Sequence, residues 1–214
     1  MKILIFGASG RTGMELVKQA LELGHEVTAF VRDPKKILTH HQNLTIAQGD
    51  VQDFASIDRA MAGQEVVLSA LGSPTLKQNT IISEGMKCII EAMKRHGVRR
   101  LICESSLGVG DSKRLMGGSI GGVVFRTIFM GFVLKHVFAD KELEEVSIRE
   151  SGLEWIIVRP GGLTDAPKTG VCRTLNSDAK PPKATQISRA DVADFMLKQI
   201  SDDTWLHKTP GIVS

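Results

Sequence analysis

Short continuous runs of apolar residues alternate along the chain with longer segments in which apolar residues recur three and four positions apart. The runs predict strands, and the longer segments predict amphipathic helices between them. The predicted strands are residues 2–6, 26–31, 44–48, 65–70, 99–103 and 155–159, and the predicted helices are 14–23, 54–61, 79–96, 140–150 and 189–200. Glycines such as Gly24, Gly63 and Gly97 follow several of these segments, as is typical where a helix ends.

The order of these elements predicts the fold class. Strands and helices that alternate produce a parallel sheet with helices on both faces. The predicted strands are apolar along most of their length, as expected when both faces of the sheet are covered. We therefore predict an α/β protein with a doubly wound parallel sheet.

Composition narrows the function classes. Hydrophobic residues make up 42% and charged residues 24%, the net charge is +3, and the chain has no Tyr, eight Phe and two Trp. The basic residues are scattered, whereas a nucleic-acid-binding protein concentrates them on one surface. We therefore expect no nucleic-acid partner.

The cysteines and the N-terminus indicate a compartment. Cys88, Cys103 and Cys172 are widely spaced and form no Cys-x-x-Cys pair, which favours a reducing environment. The first residues lead directly into a glycine loop and do not form the apolar core of a secretory signal. We expect a cytoplasmic protein.

One segment could belong to a membrane protein. Residues 117–138 are mostly apolar, but Arg126 and Lys135 interrupt them. A spanning helix needs about 20 predominantly apolar residues with few or no charges. We predict a buried or lid-forming helix here and no membrane partner, with a membrane span as the less favoured alternative.

A glycine-rich turn connects the first predicted strand to the first predicted helix. Gly7, Gly10 and Gly13 have the spacing Gly-x-x-Gly-x-x-Gly, and Ser9 and Thr12 lie between them. Unpaired N–H groups and the positive end of the helix dipole make a helix N-terminus a phosphate site when side chains leave the backbone open. Strand, glycine turn and helix together predict a dinucleotide site. The alternative is an ordinary βα turn that happens to be rich in glycine.

The end of the second strand bears on the choice of cofactor. NAD sites place an acidic residue there to hold the ribose 2′-hydroxyl, whereas NADP sites place an arginine near the 2′-phosphate. Arg32 follows the strand, and Asp33 precedes Pro34 and is expected to start a turn. With further charge from Lys36 and Arg11, this pattern favours NADP (NADPH) over NAD. The alternative for Arg32 is a solvated surface charge.

Several motifs occur in the order and spacing of a known group of proteins. They are FGASGRTG, FVRDPKK, GDV, ALGS, ESSLG and RESGLEWIIVRPGGL. The chain resembles the atypical short-chain dehydrogenase/reductases, in particular the flavin reductase/biliverdin-IXβ reductase and NmrA-like groups. The resemblance covers almost the whole chain and is weakest between residues 111 and 139. It implies a single NAD(P)-binding Rossmann domain over residues 1–214, with substrate-side elements at about 107–140 and 161–188, the latter in a small C-terminal region.

The resemblance and the residue arguments together give a predicted site. Most of its members lie just after the carboxyl end of a predicted strand, where open α/β sheets bind ligands. The predicted cofactor-binding residues are Gly7, Ser9, Gly10, Arg11, Thr12, Gly13, Arg32, Lys36, Asp50, Val51, Leu71, Gly72, Ser105 and Pro160. Ser106 falls where the family has an active-site serine.

The chain departs from the family in its catalytic residues. Many short-chain dehydrogenases use a Tyr-x-x-x-Lys pair, but this chain has no Tyr, and Val137 precedes Lys141 by four positions. The flavin reductase pattern has a histidine at the position of Lys141. A tyrosine-based alcohol dehydrogenase is therefore not expected.

Two residues remain as catalytic candidates. Ser106 could orient a substrate through its hydroxyl, and its alternative is a serine that caps the turn. Lys141 could be a charged donor to substrate or cofactor. Its alternative, which the many charges around it favour, is a solvated position on an exposed helix face. Asp140 and Glu142 are expected to be solvated for the same reason.

These observations lead to a predicted function. The histidines, including the adjacent pair His40 and His41, have no acidic or cysteine cluster around them, so we predict no metal site. We predict an NADPH-dependent reductase of a flat conjugated small molecule, such as a flavin, quinone or tetrapyrrole, with the apolar stretch 121–138 as one wall. The alternative is a non-catalytic NADP(H)-binding redox sensor of the NmrA-like type, and a nucleotide-sugar epimerase or dehydratase ranks lower. The protein is expected to be a monomer or homodimer.

Overall fold

The computed structural model describes residues 1–73, 75–115, 135–175 and 186–214. The strands are β1 (Lys2–Phe6), β2 (Glu26–Val31), β3 (Leu44–Gln48), β4 (Val66–Ser69), β5 (Arg100–Glu104), β6 (Glu154–Pro160), β7 (Gly162–Thr164), β8 (Arg173–Leu175), β9 (Gln186–Ser188) and β10 (Gly211–Val213). The α-helices are α1 (Arg11–Glu22), α2 (Phe54–Met61), α3 (Ile81–His96), α4 (Lys135–Arg149) and α5 (Arg189–Lys198). Short 3-10 helices cover Pro34–Lys36 and Gly110–Leu115.

The main sheet has the strand order β3-β2-β1-β4-β5-β6-β10-β8. All neighbouring pairs are parallel except β8 with β10, and β7 and β9 form a separate parallel pair. The chain builds outward from β1 to β3, returns to β4 beside β1, and then builds in the other direction. This reversal of strand order opens a crevice at the carboxyl ends of β1 and β4. The predicted doubly wound parallel sheet is confirmed.

Helices cover both faces of the sheet because the strand side chains alternate. Ile3 and Ile5 of β1 belong to a core that α1 and α5 complete. Leu4 and Phe6 point to the opposite face, where α2, α3 and α4 supply the packing partners. No helix within the described ranges is long and apolar enough to cross a lipid bilayer.

Most predicted elements agree with the structure to within a few residues. β1, β2, β3 and α2 have the predicted bounds. α1 begins earlier than predicted because the glycine turn itself forms its first turn, with Gly10 as the N-cap. The three-residue strands β7, β8, β9 and β10 were not predicted, because they are too short to show a period of their own. Most of the apolar segment predicted as a helix, residues 117–134, lies outside the described residues.

Two glycines allow β1, β4 and α1 to meet closely. Gly7 has a φ of +73°, and a Cβ there would lie 2.4 Å from the carbonyl oxygen of Ala70, just after β4. A Cβ on Gly13 would lie 2.1 Å from the carbonyl oxygen of Gly7. Both distances are shorter than van der Waals contact allows, so the turn needs residues without side chains.

We expect Gly13→Ala to lower the free energy of unfolding by roughly 1–3 kcal/mol, because α1 must move away from the glycine turn to admit the methyl group. Urea denaturation measures this loss. Gly72→Ala is the matched control, since a Cβ at Gly72 would meet nothing within 4 Å. Equal stability of the two variants would contradict the close packing of α1 on the turn.

Candidate active site

A cleft with a volume of about 1020 Å³ runs along the carboxyl edge of the sheet, across the point where the strand order reverses. Loops that follow β1 to β6 contribute to its walls. All predicted site residues line it except Gly13 and Lys36. Val137 and Phe138, from the apolar stretch predicted as one wall, also line it, and the residues that were not predicted as part of the site include Phe30, Glu104 and Arg189.

The two exceptions have different explanations. Gly13 is buried in the first turn of α1. It packs against the backbone of Gly7 and does not line the cleft. Lys36 is exposed at the end of the 3-10 helix Pro34–Lys36 and does not line the cleft. The structure therefore brings together the glycine turn and Arg32 but leaves Lys36 outside the cleft walls.

Arg32 is exposed at the end of the cleft that β2 forms. Within the described residues its guanidinium has no ion-pair partner. Asp33 turns back to its own loop, where Oδ1 accepts a hydrogen bond of 3.1 Å from the backbone N–H of Lys35. The predicted turn at Asp33 is confirmed, and Arg32 rather than Asp33 lines the cleft at the end of β2.

The position of Lys141 differs from the one favoured by the sequence. Its side chain is buried, with a fractional exposure of 8%, whereas the sequence analysis favoured a solvated helix charge. Its Nζ donates hydrogen bonds of 2.7 Å to Glu144 Oε2 and 2.8 Å to the carbonyl oxygen of Glu104. Burial acts to lower the pKa of Lys141, but the carboxylate of Glu144 outweighs it and keeps the pKa above its ordinary value. Lys141 is a permanent buried cation that fastens α4 to the end of β5.

A second buried ion pair lies beside the first. Arg159 binds Glu145 through two hydrogen bonds, Nε to Oε1 at 2.9 Å and Nη2 to Oε2 at 2.7 Å. Ser105 donates to the same carboxylate at 2.7 Å, so its hydroxyl proton is used within the protein. Burial acts to raise the pKa of Glu145, but the guanidinium of Arg159 outweighs it and holds the pKa below its ordinary value.

The expectation of a solvated helix face was wrong for Asp140 as well. This carboxylate is buried and accepts hydrogen bonds from the backbone N–H groups of Ile82 and Ser83, at the start of α3. A carboxylate at a helix N-terminus satisfies N–H groups that lack partners inside the helix. Glu142 is half exposed and pairs with Lys113. The buried charges on α4 therefore serve contacts with α3, β5 and β6 rather than with water.

Glu104 is the main site residue that the sequence analysis missed. It ends β5 and is buried, and its Oε1 accepts a hydrogen bond of 3.2 Å from the hydroxyl of Thr12 in the glycine turn. Burial raises the pKa of Glu104 to about 7, while Lys141 and Thr12 act in the opposite direction. The available signal was a carboxylate that directly follows an apolar strand, because an acid at that place faces the cleft.

Ser106 lies next to these residues and lines the cleft, half buried. Its hydroxyl donates to the carbonyl oxygen of Leu107 at 3.2 Å. The backbone N–H of Leu107 in turn donates to the carbonyl oxygen of Pro160 at 2.8 Å, which joins the loops after β5 and β6. The oxygen of Ser106 keeps lone-pair capacity for a molecule in the cleft.

Two arginines line another wall of the cleft and share one aspartate as their ion-pair partner. Arg11 and Arg189 occupy the first positions of α1 and α5, and each pairs with Asp165, at 2.8 Å and 2.6 Å. The pairs are exposed on the Asp165 side, so water screens them. They place two cations beside the glycine turn.

These features fit a dinucleotide cofactor. The glycine turn is a cradle that a Cβ at Gly7 would fill, and the N-terminus of α1 directs its free N–H groups toward the cleft. The comparison with protein families agrees, since residues 7–203 match the model described as NAD(P)H-binding. The chain belongs to this NAD(P)H-binding family.

The relatives include proteins of several kinds. The chain is 29% identical to an uncharacterized chloroplastic protein of Arabidopsis thaliana, At2g34460, over 79% of this chain and 61% of that protein. It is 28% identical to the uncharacterized sugar epimerase YhfK of Bacillus subtilis, over 94% of this chain and 89% of that protein. The chain spans about half the length of the first curated relatives that it matches.

Solved structures share the fold. ChuY, an anaerobilin reductase from Escherichia coli O157:H7, superposes with a TM-score of 0.81 at 22% identity, over 100% of this chain and 97% of that chain. A short-chain dehydrogenase/reductase from Veillonella parvula, solved in complex with NADP, gives a TM-score of 0.79 at 21% identity, over 100% and 94%. At these identities the likeness shows the fold.

The buried Lys141–Glu144 pair generates a stability prediction. Lys141→Met should lower the free energy of unfolding by about 3–5 kcal/mol, because it leaves Glu144 buried without its cation. The double variant Lys141→Met/Glu144→Leu should recover most of this loss. Urea denaturation of both single variants and the double variant measures the coupling.

The pair Glu84–Lys87 is a matched control, since it has the same three-residue spacing on a helix but is exposed. Lys87→Met should change the free energy of unfolding by less than about 1 kcal/mol. A similarly small loss for Lys141→Met would show that this lysine is solvated, contrary to the structure.

Glu104 should make stability depend on pH. Its pKa rises from the ordinary 4.5 to about 7 on folding, so the folded state binds the proton more tightly than the unfolded chain does. The free energy of unfolding should therefore fall as pH rises from about 4.5 to about 7, by on the order of 3 kcal/mol from this residue. Denaturation of the protein and of Glu104→Gln across this range isolates the contribution. A difference between them that does not change with pH would contradict the burial of the carboxyl.

Proposed function

We propose that the protein is an NADPH-dependent oxidoreductase that transfers hydride to a flat conjugated acceptor, such as a flavin, a quinone or a tetrapyrrole. One observation carries the proposal. A single cleft joins the glycine turn and Arg32 at one end to Ser106 and Pro160 at the other. A dinucleotide that lies along it has its phosphates on the turn and its reactive ring at the ends of β5 and β6.

The acceptor end of the cleft is largely apolar. Leu107, Val137, Phe138 and Leu163 all line the cleft. Concave apolar walls with a few polar groups are typical of sites that hold small aromatic molecules. This lining favours a flat conjugated substrate over a sugar, whose hydroxyl groups would need many more polar partners.

Bound NADPH would supply the hydride, and solvent can supply the proton that flavins and quinones need. The chain's own residues then hold the reactants together and limit access of water. We assign Ser106 to orienting the acceptor through its free lone pairs. We assign Lys141 to positioning the end of β5, because Glu144 and the carbonyl of Glu104 already use its ammonium group.

The fold likeness to the anaerobilin reductase ChuY and to a short-chain dehydrogenase/reductase solved in complex with NADP supports this proposal. A redox sensor that binds NADP(H) without turnover is the second candidate. The chain has no Tyr, and the buried Lys141 is held by Glu144, so neither of the usual catalytic partners is available as a proton donor.

Turnover separates the two candidates. Purified protein is mixed with NADPH, and the loss of nicotinamide absorbance is followed with FMN, a soluble quinone or biliverdin as acceptor. The reductase predicts acceptor-dependent oxidation with at least one of the three. Tight NADPH binding with no oxidation by any of them would contradict the reductase and support the sensor.

The proposed role of Arg32 predicts a change in cofactor preference. A charge-assisted hydrogen bond contributes about 1.5–3 kcal/mol, so Arg32→Ala should weaken NADPH binding by roughly 10-fold to 100-fold and leave NADH binding nearly unchanged. Titration followed by nicotinamide fluorescence measures both. Lys36→Ala is the control, and it should have a much smaller effect because Lys36 does not line the cleft. Equal losses for NADPH and NADH in Arg32→Ala would remove Arg32 from the 2′-phosphate site.

A further inference from the structure

Glu104 is a buried acid in contact with the proposed phosphate cradle. Among the described residues that line the cleft, Asp50 and Glu104 are acidic, and Glu104 alone of these two is buried, with a fractional exposure of 8%. Its Oε1 accepts the hydroxyl of Thr12 at 3.2 Å. No described group donates a hydrogen bond to its Oε2. A carboxyl group thus lies against the turn that would receive the phosphates.

The cationic side chains near this carboxyl group form ion pairs with other carboxylates. On α4, the ammonium group of Lys141 donates hydrogen bonds to the carboxylate of Glu144 and to the backbone carbonyl oxygen of Glu104, not to the carboxyl group of Glu104. On α5, Arg189 pairs with Asp165 at 2.6 Å. On α1, Thr12 offers one neutral hydroxyl. The carboxyl group of Glu104 therefore has no cation in direct contact within the described residues, and its pKa of about 7 places its titration in the neutral range.

We infer that Glu104 takes up a proton from solvent when the dinucleotide binds, so that Glu104 is protonated in the complex with the nucleotide. The inference rests on the proposed function of the cleft as a nucleotide site. The phosphates bring negative charge to the glycine turn, and two anions in a buried site repel each other strongly. Protonation of Glu104 removes this repulsion.

The proton also changes what the side chain can do. An ionised carboxylate accepts hydrogen bonds but donates none, whereas a protonated carboxyl donates one. A proton bound to Oε2 leaves Oε1 as the acceptor for Thr12 and gives the cleft an O–H donor next to the turn. When the nucleotide leaves, the proton returns to solvent, and no other bond forms or breaks. Glu104 is thereby a positioning residue that links cofactor affinity to pH.

The inference has a measurable consequence. Above pH 7 the free protein must first bind a proton before it accepts the nucleotide. If only the protonated form binds, affinity falls by about 30-fold between pH 6 and pH 8.5. Glu104→Gln keeps the shape of the side chain and is always neutral, so it should bind with the affinity of the protonated protein at every pH.

Calorimetric titration with NADP+ tests this directly, since the oxidised nucleotide does not turn over. Titrations in buffers with different heats of ionisation count the protons taken up at each pH. Subtracting the Glu104→Gln result removes the titration of the nucleotide's own 2′-phosphate. We expect the protein to take up close to one more proton than the variant at pH 8, and the variant to bind more tightly than the protein at that pH.

Two outcomes would overturn the inference. Equal proton uptake by the protein and the variant would show that Glu104 does not change its protonation. Weaker binding by Glu104→Gln at every pH would show that the ionised carboxylate is itself a ligand. Failure of both proteins to bind NADP+ would instead contradict the proposed nucleotide site, and the inference with it.

An infrared difference spectrum gives a second readout that does not depend on the variant's fold. Addition of NADP+ to the unmodified protein at pH 8 should produce the C=O band of a protonated carboxyl group. Absence of that band from a protein that demonstrably binds NADP+ would overturn the inference.

Discussion

The close approach of the glycine turn to the end of β4 is the constraint on which the rest of the site depends. Only a residue without a side chain fits at Gly7, where a Cβ would lie 2.4 Å from the carbonyl oxygen of Ala70. This contact lets β1 and β4 lie side by side where the strand order reverses, and it brings the N-terminus of α1 to the same edge. The cleft, its phosphate cradle and the loops after β5 and β6 all follow from that junction.

A buried ionic framework then fixes the acceptor end of the cleft. Lys141 connects α4 to β5 through the backbone carbonyl of Glu104, and Arg159 connects β6 to α4 through Glu145. Buried pairs of this kind contribute little net stability, because removing two charges from water offsets most of their attraction. Losing one partner is costly, however, so the framework holds Ser106 and its neighbours in a single arrangement. Glu104 lies at the edge of this framework, and its pKa of about 7 makes its charge depend on pH near neutrality.

The sequence predicted the features that depend on local pattern. Apolar runs located β1 to β6 closely, and the spacing of Gly7, Gly10 and Gly13 located the turn. Asp140 and Lys141 of α4 were wrongly predicted to be solvated. A mixture of acidic and basic residues along a helix gives the same sequence pattern whether water or other elements of the protein surround it. Glu104 was missed because its burial results from the packing of α1, α4 and α5 around the end of β5, which no local pattern records.

Hydrogen exchange with and without NADP+ tests the central claim most directly, which is that a dinucleotide lies along this cleft. We predict slower exchange in peptides that cover residues 7–12, 30–32, 49–52, 70–73 and 104–107, since these segments line the cleft. Exchange at the amino ends of the strands, in residues 62–65, should stay unchanged, because none of these residues lines the cleft. Slower exchange in those control residues without slower exchange at the glycine turn would contradict the account. No change in exchange anywhere at saturating NADP+ would contradict it as well.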